Sequence, residues 1–375
     1  MPRSGPVAVY GATGYTGRLV ARELRRRGVD QILCGRNPGK LKRLADELEV
    51  RLPVRVASVD DLDSLRHAFA DCPALINCAG PFSRFGEPVV QAAVESATHY
   101  VDTTGEQLYM QRVFERFDDA ARAAEVAVIP AIGFDYVPGD LACRLAGEGH
   151  EPLRELVVAY AVQGFGATRG TMHSLLEAMR GGALDYRQGS WRRAGLSPRR
   201  ASFTFPAPLG RQSMVRNPSG EVVTVPRHTR TAAVTSLITA TAFSPHPAVA
   251  DAVGLALPAA ALALRTPLKS MIDVAIDRLP EGPSPEDRAK ARFTIVALAL
   301  GEDGTTGRGM VRGADMYGLT AVTAVEGATR LIADDGARAG VLAPASAFDP
   351  AAFLDALGEH GVSYQVDALP QRAPA

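Results

Sequence analysis

The 375-residue sequence is short of several things. Its four cysteines, Cys34, Cys72, Cys78 and Cys143, are scattered with no C-x-x-C pair. That spacing argues against a thiolate metal site or a disulfide set and suits small buried apolar residues in a reducing compartment. There is no surplus charge: 41 basic side chains face 41 acidic ones. A nucleic-acid partner is therefore not expected. No run reaches the ~18 uninterrupted apolar residues of a membrane span. The first hydrophobic stretch is a short strand rather than the apolar core of a secretory leader, so we expect a cytoplasmic location. A Tyr-x-x-x-Lys dyad is missing, as is any convincing Ser-His-Asp or zinc arrangement.

What is present starts at once. Val7-Ala8-Val9-Tyr10 runs into Gly11-Ala12-Thr13-Gly14-Tyr15-Thr16-Gly17, and a helix is predicted over 18–27, ended by Gly28. Strand, glycine turn and helix in that order open a dinucleotide-binding fold. Gly11 allows the chain to turn out of the strand, Gly14 allows backbone N–H groups to approach a pyrophosphate, and Gly17 allows close helix–strand packing. The helix N-terminus offers N–H groups and the positive end of its dipole to the phosphates. These seven residues, 11 to 17, are the expected cofactor cradle.

Strand and helix signals then alternate. Strands are predicted at 31–34, 54–57, 74–79, 99–102 and 126–129, and helices at 38–49, 63–70, 87–97 and 108–124. Six strands with crossover helices predict an α/β fold, a Rossmann doubly wound parallel sheet. Beyond Asp140 the pattern changes to longer strand candidates, 156–162, 221–225 and 292–299, with a helix at 171–179. This predicts an inserted α+β domain for substrate or oligomer contacts. The expected boundaries are 1–140 for the Rossmann domain, 141–315 for the insertion, 316–368 for a C-terminal return to the first domain, and 369–375 for a loose tail. In that return we expect helices at 317–333 and 350–359 and a strand at 362–366.

A carboxylate at the end of the second strand would bind the 2′-hydroxyl of NAD. That place holds Cys34-Gly35-Arg36-Asn37, with no carboxylate, and Arg36 lies 19 positions after Gly17. A guanidinium matches a 2′-phosphate in charge and geometry, which predicts NADP. Asp60, at the end of the third strand, is read either as an adenine neighbour or as part of a helix cap. Asn77, Ala79, Gly80 and Pro81 close the fourth strand, where small residues allow a nicotinamide ribose to come near. Asp102, at the end of the fifth, is read either as an orienting group or as a holder of loop N–H groups.

Five motifs together resemble the saccharopine dehydrogenase-like oxidoreductase family. They are Gly11–Gly17, Cys34-Gly35-Arg36-Asn37, Asn77-Cys78-Ala79-Gly80-Pro81, Tyr100-Val101-Asp102-Thr103-Thr104-Gly105-Glu106 and Gly133-Phe134-Asp135-Tyr136-Val137-Pro138-Gly139-Asp140. Within that family the chain is most similar to the trans-acting enoyl reductase branch. The likeness is strong over 7–145 and weaker beyond, where Met316-Tyr317-Gly318-Leu319-Thr320 and Gly340-Val341-Leu342-Ala343-Pro344-Ala345 still fit. It implies an NADPH-dependent oxidoreductase that transfers hydride to the C=C bond of a carrier- or CoA-bound enoyl thioester. Two alternatives stay open: imine or aldehyde reduction on an amino-acid-like substrate, and a non-catalytic NADP-binding sensor. Reduction of an enoyl thioester needs a hydrogen-bond donor and a proton, and Tyr136, His173 and Thr171 are the candidates.

Two further stretches bear on partners. Seven arginines (187, 192, 193, 199, 200, 211 and 216) fall between Tyr186 and Gly220 without a carboxylate. They read as a solvated loop or as a contact for the phosphates of CoA or an acyl carrier protein. The apolar run 252–264 reads as a buried or partner-facing helix, as the wall of an acyl-chain site or as a membrane-surface contact. A homodimer is left open.

Overall fold

The computed structural model of the chain describes residues 4–48, 52–194, 201–242, 264, 266, 268–333 and 338–369. These divide into two compact units, Met1–Phe134 with Tyr317–Ala347, and Asp135–Met316 with Phe348–Ala375.

The first unit holds strands β1 (Val7–Tyr10), β2 (Gln31–Gly35), β3 (Val54–Val56), β4 (Ala74–Asn77), β5 (His99–Asp102) and β6 (Ala127–Ile129). Helices α1 (Tyr15–Arg26), α2 (Pro38–Glu47), α3 (Leu62–Phe69), α4 (Phe82–Glu95) and α5 (Gln107–Ala123) connect them. Every residue of β1, β2, β4 and β5 is buried, which explains their near-continuous apolar sequence: a parallel sheet is covered on both faces. The strand order is β15-β6-β5-β4-β1-β2-β3, where β15 is Gly340–Val341, and the pairs are parallel. β1 lies between β2 and β4, so the winding reverses there. The crevice at the C-terminal ends of β1 and β4 is therefore the topological switch point, where such sheets bind ligands.

The second unit opens with α6 (Val137–Gly147) and β7 (Leu153–Gln163). It continues with α7 (Arg169–Gly181), β8 (Leu184–Arg187), β9 (Ser190–Arg193), β10 (Ala201–Thr204), β11 (Arg211–Arg216), α8 (Glu221–Thr224) and β12 (Ala233–Thr239). After these come α9 (Leu268–Asp277), α10 (Pro285–Lys290), β13 (Arg292–Gly301) and β14 (Thr306–Ala314). Among the described residues its sheet runs β10-β11-β12-β7-β13-β14-β16, with β16 at Ser363–Leu369, and β8 and β9 hang from β12. Its pairs are antiparallel except β7 with β12. One face packs Ala159, Phe203, Phe205, Met214, Leu237, Val296 and Met310 together. Each buried phenylalanine there contributes about 1.5–3 kcal/mol.

Several expectations are corrected. Residues 221–225, expected as a strand, form α8 followed by a 3-10 turn, Val225–Arg227. Gly220 accepts from the N–H groups of Val223 and Thr224, and Pro226 has no N–H to give a sheet ladder. The C-terminal return is partial. Helix α11 (Met316–Ala333) and β15 serve the first unit, but α13 (Pro350–Ala356), which follows the short α12 (Pro344–Ala347), groups with the second. So does β16, which pairs antiparallel with β14 from Arg312↔Ser363 to Thr306↔Leu369. Leu369 ends that strand rather than beginning a tail, and 370–375 lie outside the described residues. The helix expected from Glu87 begins at Phe82 and carries Pro88 in its interior. Among the described residues no helix is long and apolar enough to cross a membrane. Residues 252–263 of the apolar run lie outside the described residues.

Candidate dinucleotide site and a buried cluster in the second unit

In the first unit the site is built on the exit from β1. The chain turns at Gly11 with φ +75°, a conformation that L side chains rarely adopt. A Cβ there would also stand 2.9 Å from the backbone N of Ala79, so the turns leaving β1 and β4 come too close for a side chain at this position. Ala12 is buried beneath the loop, and a Cβ on Gly17 would collide with the carbonyl of Gly11. Gly14 is the exposed N-cap of α1, and no side chain caps this helix end. Helix α1 starts at Tyr15, three residues earlier than expected, so Tyr15, Thr16 and Gly17 form its first turn. That turn has no acidic residue, and its dipole favours an anion. Arg18 Nε donates to the Thr13 carbonyl at 3.1 Å and holds the loop.

The N-terminus of α4, beyond the neighbouring strand, is occupied differently. Glu106 accepts from Phe82 N–H at 2.7 Å and from Ser83 N–H at 2.8 Å. This internal carboxylate explains why α4 begins before its proline. It also takes up N–H groups that the corresponding turn of α1 leaves for an anion.

Arg36 is exposed immediately after β2. Asn37 next to it uses its side chain as the cap of α2, accepting from Lys40 N–H at 2.9 Å. Asp60 is exposed, and Ser58 Oγ donates to it at 3.5 Å; the cap of α3 is its neighbour Asp61. Burial pushes the Tyr10 hydroxyl up to about 12, and the charges of Arg36 and Asp60 act on that same hydroxyl. Both residues therefore flank the end of β1. An exposed guanidinium with no carboxylate in Gly35-Arg36-Asn37 fits a 2′-phosphate, and the glycine cradle fits the diphosphate.

Asn77 and Asp102 support the site from below. Asn77 is fully buried; its Nδ2 donates to Tyr100 Oη at 3.0 Å and its Oδ1 accepts from Ala79 N–H at 2.9 Å. Its side chain thus shapes the turn into Gly80 and Pro81 from within the protein. Asp102 Oδ2 accepts from the hydroxyls of Tyr100 and Tyr109 at 2.8 and 3.0 Å. Its Oδ1 accepts from Thr104 and Ala131 N–H at 3.1 and 2.8 Å. Burial raises this carboxyl to about 6 against those four donors. Of the two roles expected for Asp102, loop holding is the one its bonds perform.

Tyr317 and Glu106 escaped the reading of the sequence as site residues, although both lie inside quoted motifs. Tyr317, at the start of α11, meets Tyr15 edge to face with centroids 5.3 Å apart. Thr320 Oγ1 accepts from Phe134 N–H, and Thr323 Oγ1 donates to the Ile132 carbonyl, both at 3.1 Å. These bonds fasten α11 to the segment that leaves β6.

In the second unit, Tyr136 is buried and N-caps α6 with a non-helical backbone (φ −139°, ψ −31°). Close by, Tyr160, Glu221, Asp140 and His228 form a buried polar cluster, of which only Asp140 lies in a quoted motif. His228 Nε2 meets Asp140 Oδ1 at 2.9 Å, with both side chains almost wholly buried. His173 sits elsewhere, on α7. Its Nδ1 and Nε2 each lie 3.0 Å from a carboxylate of α9, Asp273 and Asp277 respectively. Lys269 joins Asp273 to Glu177 in the same network. No cluster suited to a metal occurs among the described residues. The arginine stretch is part of two hairpins: Arg216 pairs with both oxygens of Asp185, and Arg211 donates to Ser202 Oγ, while 199 and 200 lie outside the described residues.

Residues 7–129 match the family profile described as the saccharopine dehydrogenase NADP binding domain. A trans-acting enoyl reductase of Mycobacterium ulcerans is 29% identical over 195 residues, 49% of this chain and 46% of that protein. A human saccharopine dehydrogenase-like oxidoreductase is 27% identical over 152 residues, 36% of this chain and 35% of that one. The chain therefore spans about half, or less, of the length of the curated relatives it matches. Among solved structures, apo saccharopine dehydrogenase (L-Glu forming) from Saccharomyces cerevisiae has the same fold. The TM-score is 0.60 at 14% identity, over 97% of this chain and 100% of that one. Residues 7–129 are thus similar to the saccharopine dehydrogenase NADP-binding domain, and the cofactor this match supports is NADP.

Proposed function

We propose that the protein is an NADPH-dependent oxidoreductase that reduces the C=C bond of an enoyl thioester carried by CoA or an acyl carrier protein. The observation that carries the cofactor half is Arg36, exposed at the end of β2 in Gly35-Arg36-Asn37, where the sequence has no carboxylate. The substrate half is supported by relatives named trans-acting enoyl reductases. Bound NADPH supplies the hydride, delivered to Cβ. The backbone of residues 11–17 holds the diphosphate, Arg36 the 2′-phosphate, and the turn 77–81 leaves room for the ribose. Reduction leaves an enolate that needs a hydrogen-bond donor at oxygen and a proton at Cα. We assign the proton to the Tyr136 hydroxyl, seven residues after the end of β6. His173 suits the role less well, because both of its ring nitrogens already face carboxylates. The arginines between 187 and 216 are offered as the surface for an acidic carrier or for CoA phosphates.

The test is NADPH oxidation, followed optically, with crotonyl and longer enoyl thioesters. Turnover of these supports the reading. Turnover only with an amine plus a carbonyl compound points to imine reduction instead. Tight NADPH binding without turnover on any acceptor points to a sensor.

A further inference from the structure

Glu221 opens α8 with its side chain fully buried. Tyr160 of β7, Gly139, Asp140 and Cys143 of α6, Tyr136 at the start of α6, and Ser219 before α8 surround it or its partner Tyr160. The side-chain charge that acts on it, Asp140, has the same sign, and His228 is engaged with Asp140. A Cβ on Gly139 would collide with both the Glu221 carboxyl and the Tyr160 hydroxyl, so the cradle is closed around that pair.

Tyr160 has one hydroxyl proton and two oxygen neighbours. Its Oη lies 3.2 Å from the Asp135 carbonyl and in hydrogen-bond contact with Glu221 Oε1. A backbone carbonyl only accepts. Both bonds are complete when Glu221 is the carboxylic acid: Glu221 donates to Tyr160, and Tyr160 donates to Asp135. An ionised Glu221 would take the tyrosine proton for itself and leave the carbonyl without it.

We propose that Glu221, held as the neutral acid, is a positioning residue for Tyr136, fixing the preceding Asp135 carbonyl through Tyr160 and so setting the backbone from which the Tyr136 side chain leaves. The proposal rests on the reading of Tyr136 as proton donor. Burial raises Glu221 to about 8, so the chain of bonds holds at neutral pH and opens above it.

The experiment compares the full-length wild type with E221Q and Y160F by hydrogen exchange, each pair at one pH so that intrinsic rates cancel. The amide of Asp140 donates to the Tyr136 carbonyl and reports on the turn. At pH 6.5 wild type and E221Q should protect residues 134–140 equally, because glutamine keeps a neutral donor. At pH 9, one unit above the carboxyl's range, the wild type should exchange about tenfold faster than E221Q. Y160F should already exchange faster than wild type at pH 6.5. Equal protection of wild type and E221Q at pH 9 overturns the proposal, and so does unchanged protection in Y160F should E221Q fail to fold. Once turnover is established, kcat of the wild type should fall above pH 8 while that of E221Q stays level to pH 9, with KM little changed in both. An alkaline fall that persists in E221Q contradicts positioning by Glu221. Absence of turnover on enoyl thioesters removes the enzymatic reading and with it the role assigned to Tyr136, while the exchange data still decide whether Glu221 holds the turn.

Discussion

Asp102 and Glu221 are fully buried carboxyls, one in each unit, and they lead opposite lives. Asp102 stands at the end of β5 among four donors, two backbone N–H groups and two tyrosine hydroxyls. Glu221 is met by the Tyr160 and Ser219 hydroxyls and by its own backbone N–H, with Asp140 as a neighbouring like charge. Desolvation acts on both. Donors hold Asp102 at about 6, whereas Glu221 rises to about 8. At pH 7 the first is an anion that organises a loop and the second an acid that donates. Burial alone therefore does not tell which protonation state a carboxyl takes; the balance of donors and neighbouring charge does.

The largest effect expected from this contrast is at Asp102. Replacement by alanine strands four donors and should cost about 3–5 kcal/mol of stability in urea unfolding. A loss under about 1 kcal/mol would mean that the network is slack. Next is Arg36→Glu, which should weaken NADPH by about a hundredfold and leave NADH within about threefold. Equal losses for both cofactors would dismiss the 2′-phosphate assignment.

The pH dependence of stability separates the two carboxyls. Each has a folded value above its unfolded one, so the fold keeps a proton that the unfolded chain has released. Each contribution is complete below the unfolded value and is lost as pH rises through the folded one. For Asp102 the window runs from 3.8 to about 6, and for Glu221 from 4.5 to about 8. Melting curves from pH 4 to 9 should show D102N flattening the lower window and E221Q the upper. A common effect of both variants on one window would collapse the distinction. The smallest effect is E221Q at pH 7, expected to change stability by less than about 1 kcal/mol, because one neutral donor replaces another.

Much of the first unit was legible in the sequence, for local reasons. The buried strands β1, β2, β4 and β5 read as apolar runs, and Gly11 and Gly17 are required by a positive φ and by close packing that neighbouring residues already imply. What was not legible depends on distant partners. Helix α4 begins at Phe82 because Glu106, 24 residues on, caps it. Val222-Val223-Thr224-Val225 has strand-like side chains, yet Gly220, Pro226 and a buried Glu221 make it helical. A strand was expected at 362–366 and forms at 363–369, but its partner was not expected, since an alternating strand does not name its sheet. Tyr160 of β7, Asp140 of α6, Glu221 of α8 and His228 beyond it are far apart in sequence, and no spacing could announce their meeting.

The most direct test of the account is fluorescence titration of the purified protein with NADPH and, separately, with NADH. The uncapped start of α1 and the exposed Arg36 predict tight NADPH binding, with NADH weaker by about a hundredfold. Equal affinities would contradict the role of Arg36, and binding of neither would contradict the cradle at residues 11–17 and every enzymatic reading built on it.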